Sequence, residues 1–185
     1  MKHRIFIAIN LPKEVKKRLT YIQERYLDFP IKWTRKENLH ITLVFLGEII
    51  DEDLIEICNK ISEAVLKNKT FSIDLNKVVY GPPKKLPPKM IWVTGEQNIS
   101  LGKLQKDLEE SLLGYSQEEN RGYAPHITLG KINAWRWKQI EPEERPNIEE
   151  DLNLNFDVTS IEIMESRLRT GGPEYEVLES YQLEE

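Results

Sequence analysis

Apolar and polar positions alternate along this chain with two different periods. Arg4 to Asn10 is rich in Ile and Phe and predicts a buried strand. Pro12 suits the first turn of a following helix, where its missing N–H costs nothing. Val15, Leu19, Ile22 and Tyr26 then recur at helical spacing, and Phe29-Pro30 ends that helix. Asn38 to Leu46 reads as a second strand, closed by Gly47. Asp51 to Lys67 predicts a second helix with Asp51 as N-cap and a stripe of Leu54, Ile57, Cys58, Ile61 and Val65. Cys58 therefore reads as a core residue.

Phe71 to Tyr80 has strand character, and Met90 to Thr94 is a short strand. Between them, Gly81 to Lys89 carries four prolines and three lysines, which excludes helix and central strand and leaves a loop. Ile99 to Leu113 predicts a third helix with Leu101, Leu104, Leu108 and Leu112 on one face. Gly114 to Gly122 reads as a polar loop, Ala124 to Ile132 as a strand, and Ala134 to Asp151 as an acidic surface loop. Phe156 to Arg167 alternates like one strand, and Tyr175 to Leu183 pairs with it across a turn at Gly171-Gly172-Pro173. Strands joined through helices and hairpins imply an α+β fold with mainly antiparallel sheets. No glycine-rich dinucleotide loop or P-loop follows any strand, which argues against the common NAD and ATP chemistries.

Composition narrows the function classes. The 185 residues hold 31 acidic and 26 basic side chains, a net charge of −5. That balance argues against a protein coating long stretches of nucleic acid, and leaves room for recognition of a single nucleotide end. Cys58 is the sole cysteine, so an internal disulfide and a thiolate zinc site are both excluded. The apolar run after Met1-Lys2-His3-Arg4 is too short for a signal-peptide core, and no stretch approaches the ~20 apolar residues of a membrane span. The expectation is a cytoplasmic protein with no membrane association.

The informative feature is a repeat. His40-Ile41-Thr42-Leu43 recurs as His126-Ile127-Thr128-Leu129, each on a predicted strand with a glycine soon after. Side chains alternate across a strand, so His40 and Thr42 share one face about 6.6 Å apart, and His126 and Thr128 do the same. The chain has three histidines, and two of them fall in this context. His3 lacks it and reads as incidental. Two imidazoles and two hydroxyls form a poor metal site, because catalytic zinc usually takes three protein ligands and Thr is a weak one. Phosphate-ester cleavage fits better. In-line displacement at phosphorus needs a base on one side and an acid on the other. Two histidines with ordinary pKa near 6.5 can hold opposite protonation states near neutrality. The Thr hydroxyls can donate to the non-bridging oxygens. A strained cyclic phosphate suits such a metal-free site.

These motifs resemble those of the two-histidine phosphoesterase superfamily. More closely, the chain resembles the bacterial and archaeal RNA 2′,3′-cyclic phosphodiesterases, historically called 2′-5′ RNA ligases. The likeness runs from Arg4-Ile5-Phe6-Ile7-Ala8-Ile9 through Lys32-Trp33, Glu37 to Gly47, Ile91-Trp92-Val93 and Pro125 to Leu129. It ends with Glu165-Ser166 and Tyr175-Glu176-Val177-Leu178. It implies a single domain over residues 1–185, made of two lobes that each contribute one motif. The implied fold is bilobal α+β: two mainly antiparallel sheets with helices outside, pseudo-twofold symmetry and a central cleft.

The implied activity is hydrolysis of an RNA 2′,3′-cyclic phosphate to a 2′-phosphate, with no cofactor and no metal. His40 would be the proton donor, His126 the acceptor, and Thr42 and Thr128 would hold the phosphate. The sequence motifs alone are equivalent and do not assign those roles. Relatives usually carry Arg two positions after the second motif. Lys131 stands there, keeping the charge and losing the bidentate fork, as a candidate substrate contact. Tyr123 and Phe45 are candidates to stack on a base or to sit in the core. Arg35, Lys84, Lys85 and Lys89 are candidates for the RNA backbone. The expected partners are RNA 3′ ends with a cyclic phosphate, tRNA halves or cyclic nucleotides, acted on by a monomer. Two alternatives stay open at this stage: RNA end joining by the same proton transfers in reverse, and a nucleotide- or RNA-end-binding module without turnover.

Overall fold

The computed structural model describes residues 1–116 and 122–185. The middle of the polar loop expected over Gly114 to Gly122 lies outside the described residues. The first half of the chain forms β1 (Lys2–Asn10), α1 (Lys13–Glu24), β2 (Ile31–Trp33), β3 (His40–Ile50), α2 (Asp51–Val65) and β4 (Phe71–Gly81). The second half forms β5 (Met90–Gly95), α3 (Ile99–Ser111), β6 (Ile127–Ile132), the short α4 (Ala134–Trp137), β7 (Glu150–Val158), β8 (Ser160–Arg169) and β9 (Gly172–Gln182).

Every pairing among these strands is antiparallel, in the order β7-β4-β5-β6-β3-β1-β8-β9 with β2 on β6. In place of two expected sheets there is one nine-stranded sheet, whose halves meet at β3 and β6, four strands on the β3 side and, with β2, five on the β6 side. The halves repeat one pattern about that seam, because β1–α1–β3 and β5–α3–β6 are each strand, helix and antiparallel neighbour. The seam is one residue pair, Ile41 opposite Ile127. Beyond it β3 departs, and β2 takes over the edge of β6 by pairing Ile31 with Ile132, Lys32 with Lys131 and Trp33 with Gly130. This satisfies backbone groups that the departing strand leaves behind.

One face of the sheet carries the main core. Ile5, Ile7 and Ile9 of β1, Ile41 and Leu43 of β3, Val78 of β4, Ile91 and Val93 of β5, and Ile127 and Leu129 of β6 are all buried there with Leu19, Ile57, Ile61, Leu104 and Leu108 from the helices. Full burial of each Leu or Ile contributes roughly 1.5–3 kcal/mol. The other face holds a small separate cluster of Phe6, Ala8 and Met164, with Tyr175 against it.

Several sequence expectations change in detail. β3 does not close at Gly47. It runs on to Ile50, with Gly47 at φ +79° where the register against β1 shifts between Ile5 and Phe6. The N-cap of α2 is Ile50, not Asp51. Asp51 instead accepts from the Met1 amine at 2.6 Å and lies 2.7 Å from His3 Nε2. His3 Nδ1 reaches Glu165 at 2.8 Å, so this histidine ties β1 to both α2 and β8. Cys58 is half-buried at the margin of the core. The single strand expected over Phe156 to Arg167 is two, β7 and β8, broken at Thr159. The acidic stretch after Ala134 is not all surface, because Trp137 and Ile148 are fully buried. Its apolar residues are too sparse for periodicity to reveal them. No helix among the described residues is long and apolar enough to cross a membrane.

Candidate active site

The seam positions the repeated motif. Ile41 and Ile127 both face the core, so His40, Thr42 and Thr128 project from the opposite face, with His126 leading into β6. The pairing is antiparallel, which sets His40 on the Thr128 side and His126 on the Thr42 side. The histidines thus occupy one diagonal of a small quadrilateral and the threonines the other. His126 lies one residue before β6 and not within the strand expected from Ala124.

Both rings are held in the same way. His40 Nδ1 donates to the Asn38 carbonyl at 2.7 Å, and His126 Nδ1 donates to the Ala124 carbonyl at 2.8 Å. Each partner lies two residues upstream. A carbonyl can only accept, so the proton is fixed on Nδ1 and Nε2 is the working nitrogen in both neutral rings. His40 Nε2 accepts from the Thr42 hydroxyl at 2.9 Å.

The surroundings of the two rings differ. His40 lies 5.0 Å from the Phe6 ring centre and meets Tyr175 edge-on at 5.3 Å. Burial pushes its pKa down to about 4, opposed by the Asn38 hydrogen bond and assisted by the nearby charges of Lys16 and His126. Lys16, on α1, is itself buried and donates to the Glu37 carbonyl at 2.8 Å. Desolvation holds its ammonium below the ordinary lysine pKa. His126 instead stacks face to face on Trp92, with ring centres 3.7 Å apart and planes 17° from parallel. Trp92 sits opposite Thr128 on β5. It has room there because Gly81 carries no side chain; a Cβ on Gly81 would fall 2.3 Å from the indole.

A bulge in each half re-aims one further residue. On β3 the register passes from Thr42 opposite Ala8 to Val44 opposite Ile7 and Phe45 opposite Phe6. Leu43 and Val44 are both buried, and Phe45 returns to the histidine face beside Phe6, 47% exposed. On β6 the register passes from Thr128 opposite Trp92 to Gly130 opposite Ile91 and Lys131 opposite Met90. Leu129 is buried, and Lys131 returns to the histidine face, exposed. Without the extra residue both side chains would point into the core. Phe45 and Lys131 are therefore equivalent positions, each three residues past its threonine.

The remaining candidates separate. Tyr123 is half-buried, and its hydroxyl donates to the Thr42 carbonyl at 3.2 Å, so it braces β3 from the segment that leads to His126. Arg35 pairs with Glu174 at 3.5 Å. Lys84, Lys85 and Lys89 are exposed on the β4–β5 loop. No group of three His, Cys, Asp or Glu side chains among the described residues is placed to hold a metal ion. Sequence reasoning missed the roles of Trp92, Phe6 and Tyr175 around the imidazoles. Strand pairing was the missing information, since none of the three is near a motif in sequence.

Comparison with known proteins gives the family and the fold. The family model described as LigT like Phosphoesterase matches residues 9–92. The chain is 34% identical over 188 residues to the RNA 2′,3′-cyclic phosphodiesterase of Thermotoga maritima, covering 98% of this chain and 96% of that one. It is 32% identical over 179 residues to the protein of the same name from Methanocaldococcus jannaschii, covering 96% and 99%. Among solved structures, TT0787 of Thermus thermophilus superposes with a TM-score of 0.84 at 26% identity, covering 97% of each chain. E. coli LigT complexed with 3′-AMP shares the fold, with a TM-score of 0.81 at 22% identity and 99% coverage of both. By its full-length likeness to these relatives, the chain belongs to the LigT-like phosphoesterases.

Proposed function

We propose that this protein hydrolyses 2′,3′-cyclic phosphodiester ends of RNA to 2′-phosphomonoesters by acid–base catalysis between His40 and His126. The observation that carries the reading is the diagonal placement of two imidazoles, each with Nδ1 tied to a carbonyl and Nε2 as the working nitrogen. A cyclic phosphate set over the seam has one imidazole on either side. Water attacks phosphorus, and Nε2 of His126 takes the water proton. The bond from phosphorus to O3′ breaks, and Nε2 of His40 delivers a proton to the leaving O3′. The next turnover begins once His126 has lost its proton to solvent and His40 has regained one. Thr42 and Thr128, on the other diagonal, donate to the non-bridging oxygens where charge sits during transfer.

His40 meets the substrate as a neutral ring, because burial disfavours its charged form. The phosphate anion supplies the missing counter-charge, so the ring gains its proton together with the substrate. General acid–base assistance of this kind contributes about 10²–10⁴-fold in rate. The donor and acceptor roles are those the family resemblance implies, and the relatives' names support the substrate.

The test is a short RNA bearing a 2′,3′-cyclic phosphate, incubated with the protein in EDTA, with the product identified by mass and by phosphatase sensitivity. A 2′-phosphomonoester is expected, with turnover lost in folded His40→Ala and His126→Ala variants. Wild-type rates in both variants would overturn the proposal. A 2′-5′ linked product from paired tRNA halves would redirect it to end joining.

A further inference from the structure

The histidine face is not electrically even. In the half with β3 it continues from Thr42 and Phe45 into Phe6, Ala8 and Met164, an apolar and aromatic surface. In the half with β6 it continues into lysine. Lys131 lies opposite Met90 on one side and opposite Lys32 of β2 on the other. Met90 shares the face of Trp92, two residues on, so the row Met90–Lys131–Lys32 lies beside the row Trp92–Thr128 on the same surface. The flanking residues agree: Ile31 packs in the core and Trp33 against it, with Gly130 between them, while Lys32 and Lys131 are both exposed.

Like charges directly opposite on neighbouring strands destabilise a sheet. Here the strands stand about 4.8 Å apart. Among the described residues, neither ammonium is within ion-pairing distance of a carboxylate, whereas the nearby Arg35 and Arg169 are both answered by Glu174 at 3.5 Å. The tip of the β8–β9 hairpin reaches across from the other half. A Cβ on Gly172 would lie 3.4 Å from Lys32 Nζ, and the Gly171 carbonyl accepts from Arg35 at 3.4 Å. Lys32 therefore stands at the mouth between the two halves, one strand outward from Lys131.

We infer that Lys32 and Lys131 form a second anion site, which takes the internucleotide phosphodiester immediately upstream of the reacting end. The inference rests on the phosphodiesterase reading and makes it more specific. The preferred substrate is an RNA chain and not a free cyclic mononucleotide, since a mononucleotide carries only the phosphate over the seam. The repulsive pair is relieved when the upstream phosphate lies between the two ammoniums. Lysine suits this task, because a flexible point charge follows a mobile backbone where a rigid fork would select one geometry.

The experiment compares kcat/KM for 2′,3′-cyclic AMP with that for a trinucleotide ending in the same cyclic adenosine, in wild type, Lys32→Ala, Lys32→Glu and Lys32→Arg. Wild type is expected to prefer the trinucleotide. Lys32→Ala lowers the ratio of the two values roughly fivefold to tenfold, Lys32→Glu lowers it further, and Lys32→Arg restores it. Added salt erodes the wild-type preference, and the logarithmic salt slope for the trinucleotide falls by about 0.7 in Lys32→Ala, the share of one single-strand phosphate. If both substrates are turned over and the ratio does not respond to Lys32, the second site is refuted while the phosphodiesterase reading stands. If wild type turns over neither, that reading falls and this inference falls with it.

Discussion

Protonation of His40 is the perturbation whose consequences the structure specifies most fully. The ring is half-buried against Phe6 and Tyr175, with Nδ1 held by the Asn38 carbonyl and Lys16 near enough to repel a second charge. Desolvation dominates and lowers its pKa from 6.5 to about 4. As acid is added, the unfolded chain takes up a proton at this position near pH 6.5, and the folded chain does so only near 4. Folding therefore loses stability progressively across that window. Above it both states are neutral and the effect vanishes; below it the full loss is reached, roughly 3 kcal/mol.

His3 works in the opposite sense. The Glu165 and then the Asp51 hydrogen bonds raise its pKa, so its contribution is present in acid and fades as pH rises through the folded value. The two are separated by comparing urea unfolding of wild type with His40→Gln. Their difference in stability should change by about 3 kcal/mol between pH 7 and the acid side of pH 4, while His3 cancels. Proton NMR of the His40 ring in the ligand-free protein should show a midpoint near 4, and inorganic phosphate should move it upward. In kcat/KM, which reports the free enzyme, the protonated fraction of His40 that can act as donor should shrink as pH rises above about 4. A His40 midpoint at its ordinary 6.5 without ligand would refute the burial argument.

Three further outcomes follow from named contacts. Gly81→Ala places a methyl 2.3 Å from the Trp92 ring, so the indole must shift and the His126 stack with it; a loss of about 1–3 kcal/mol in urea unfolding and a reduced kcat are expected, and wild-type values for both would contradict the packing described. Thr42→Val and Thr128→Val keep shape and remove a hydroxyl; each should lower kcat about 10²-fold with little change in thermal midpoint, as steady-state kinetics and calorimetry would show. Lys16→Met removes a buried positive charge that disfavours His40 protonation, so the His40 midpoint should rise in an NMR titration.

The division between what the sequence settled and what folding decided follows from range. The elements were legible because each is a local periodic signal: Leu101, Leu104, Leu108 and Leu112 mark α3, and Ile5, Ile7 and Ile9 mark β1. The paired motif was legible because alternation along one strand places His40 with Thr42 and His126 with Thr128. By itself, then, the sequence determined the long periodic elements but not β2 or α4, together with the two imidazole–hydroxyl pairs and the exclusion of a disulfide or a thiolate zinc site. It misjudged places where one extra residue or one long-range partner overrides periodicity. The bulges that return Phe45 and Lys131 to the histidine face invert the parity that alternation predicts. His3 looked incidental because its carboxylate partners lie 48 and 162 residues away.

Tertiary structure alone decided that the two motifs meet, since nothing local links Ile41 to Ile127. It also made two equivalent histidines unequal. One is half-buried among Phe6 and Tyr175, the other laid on Trp92, and those neighbours arrive from other strands. Side-chain chemistry is written residue by residue, but the dielectric and the charges around a side chain are set by whatever the fold packs against it.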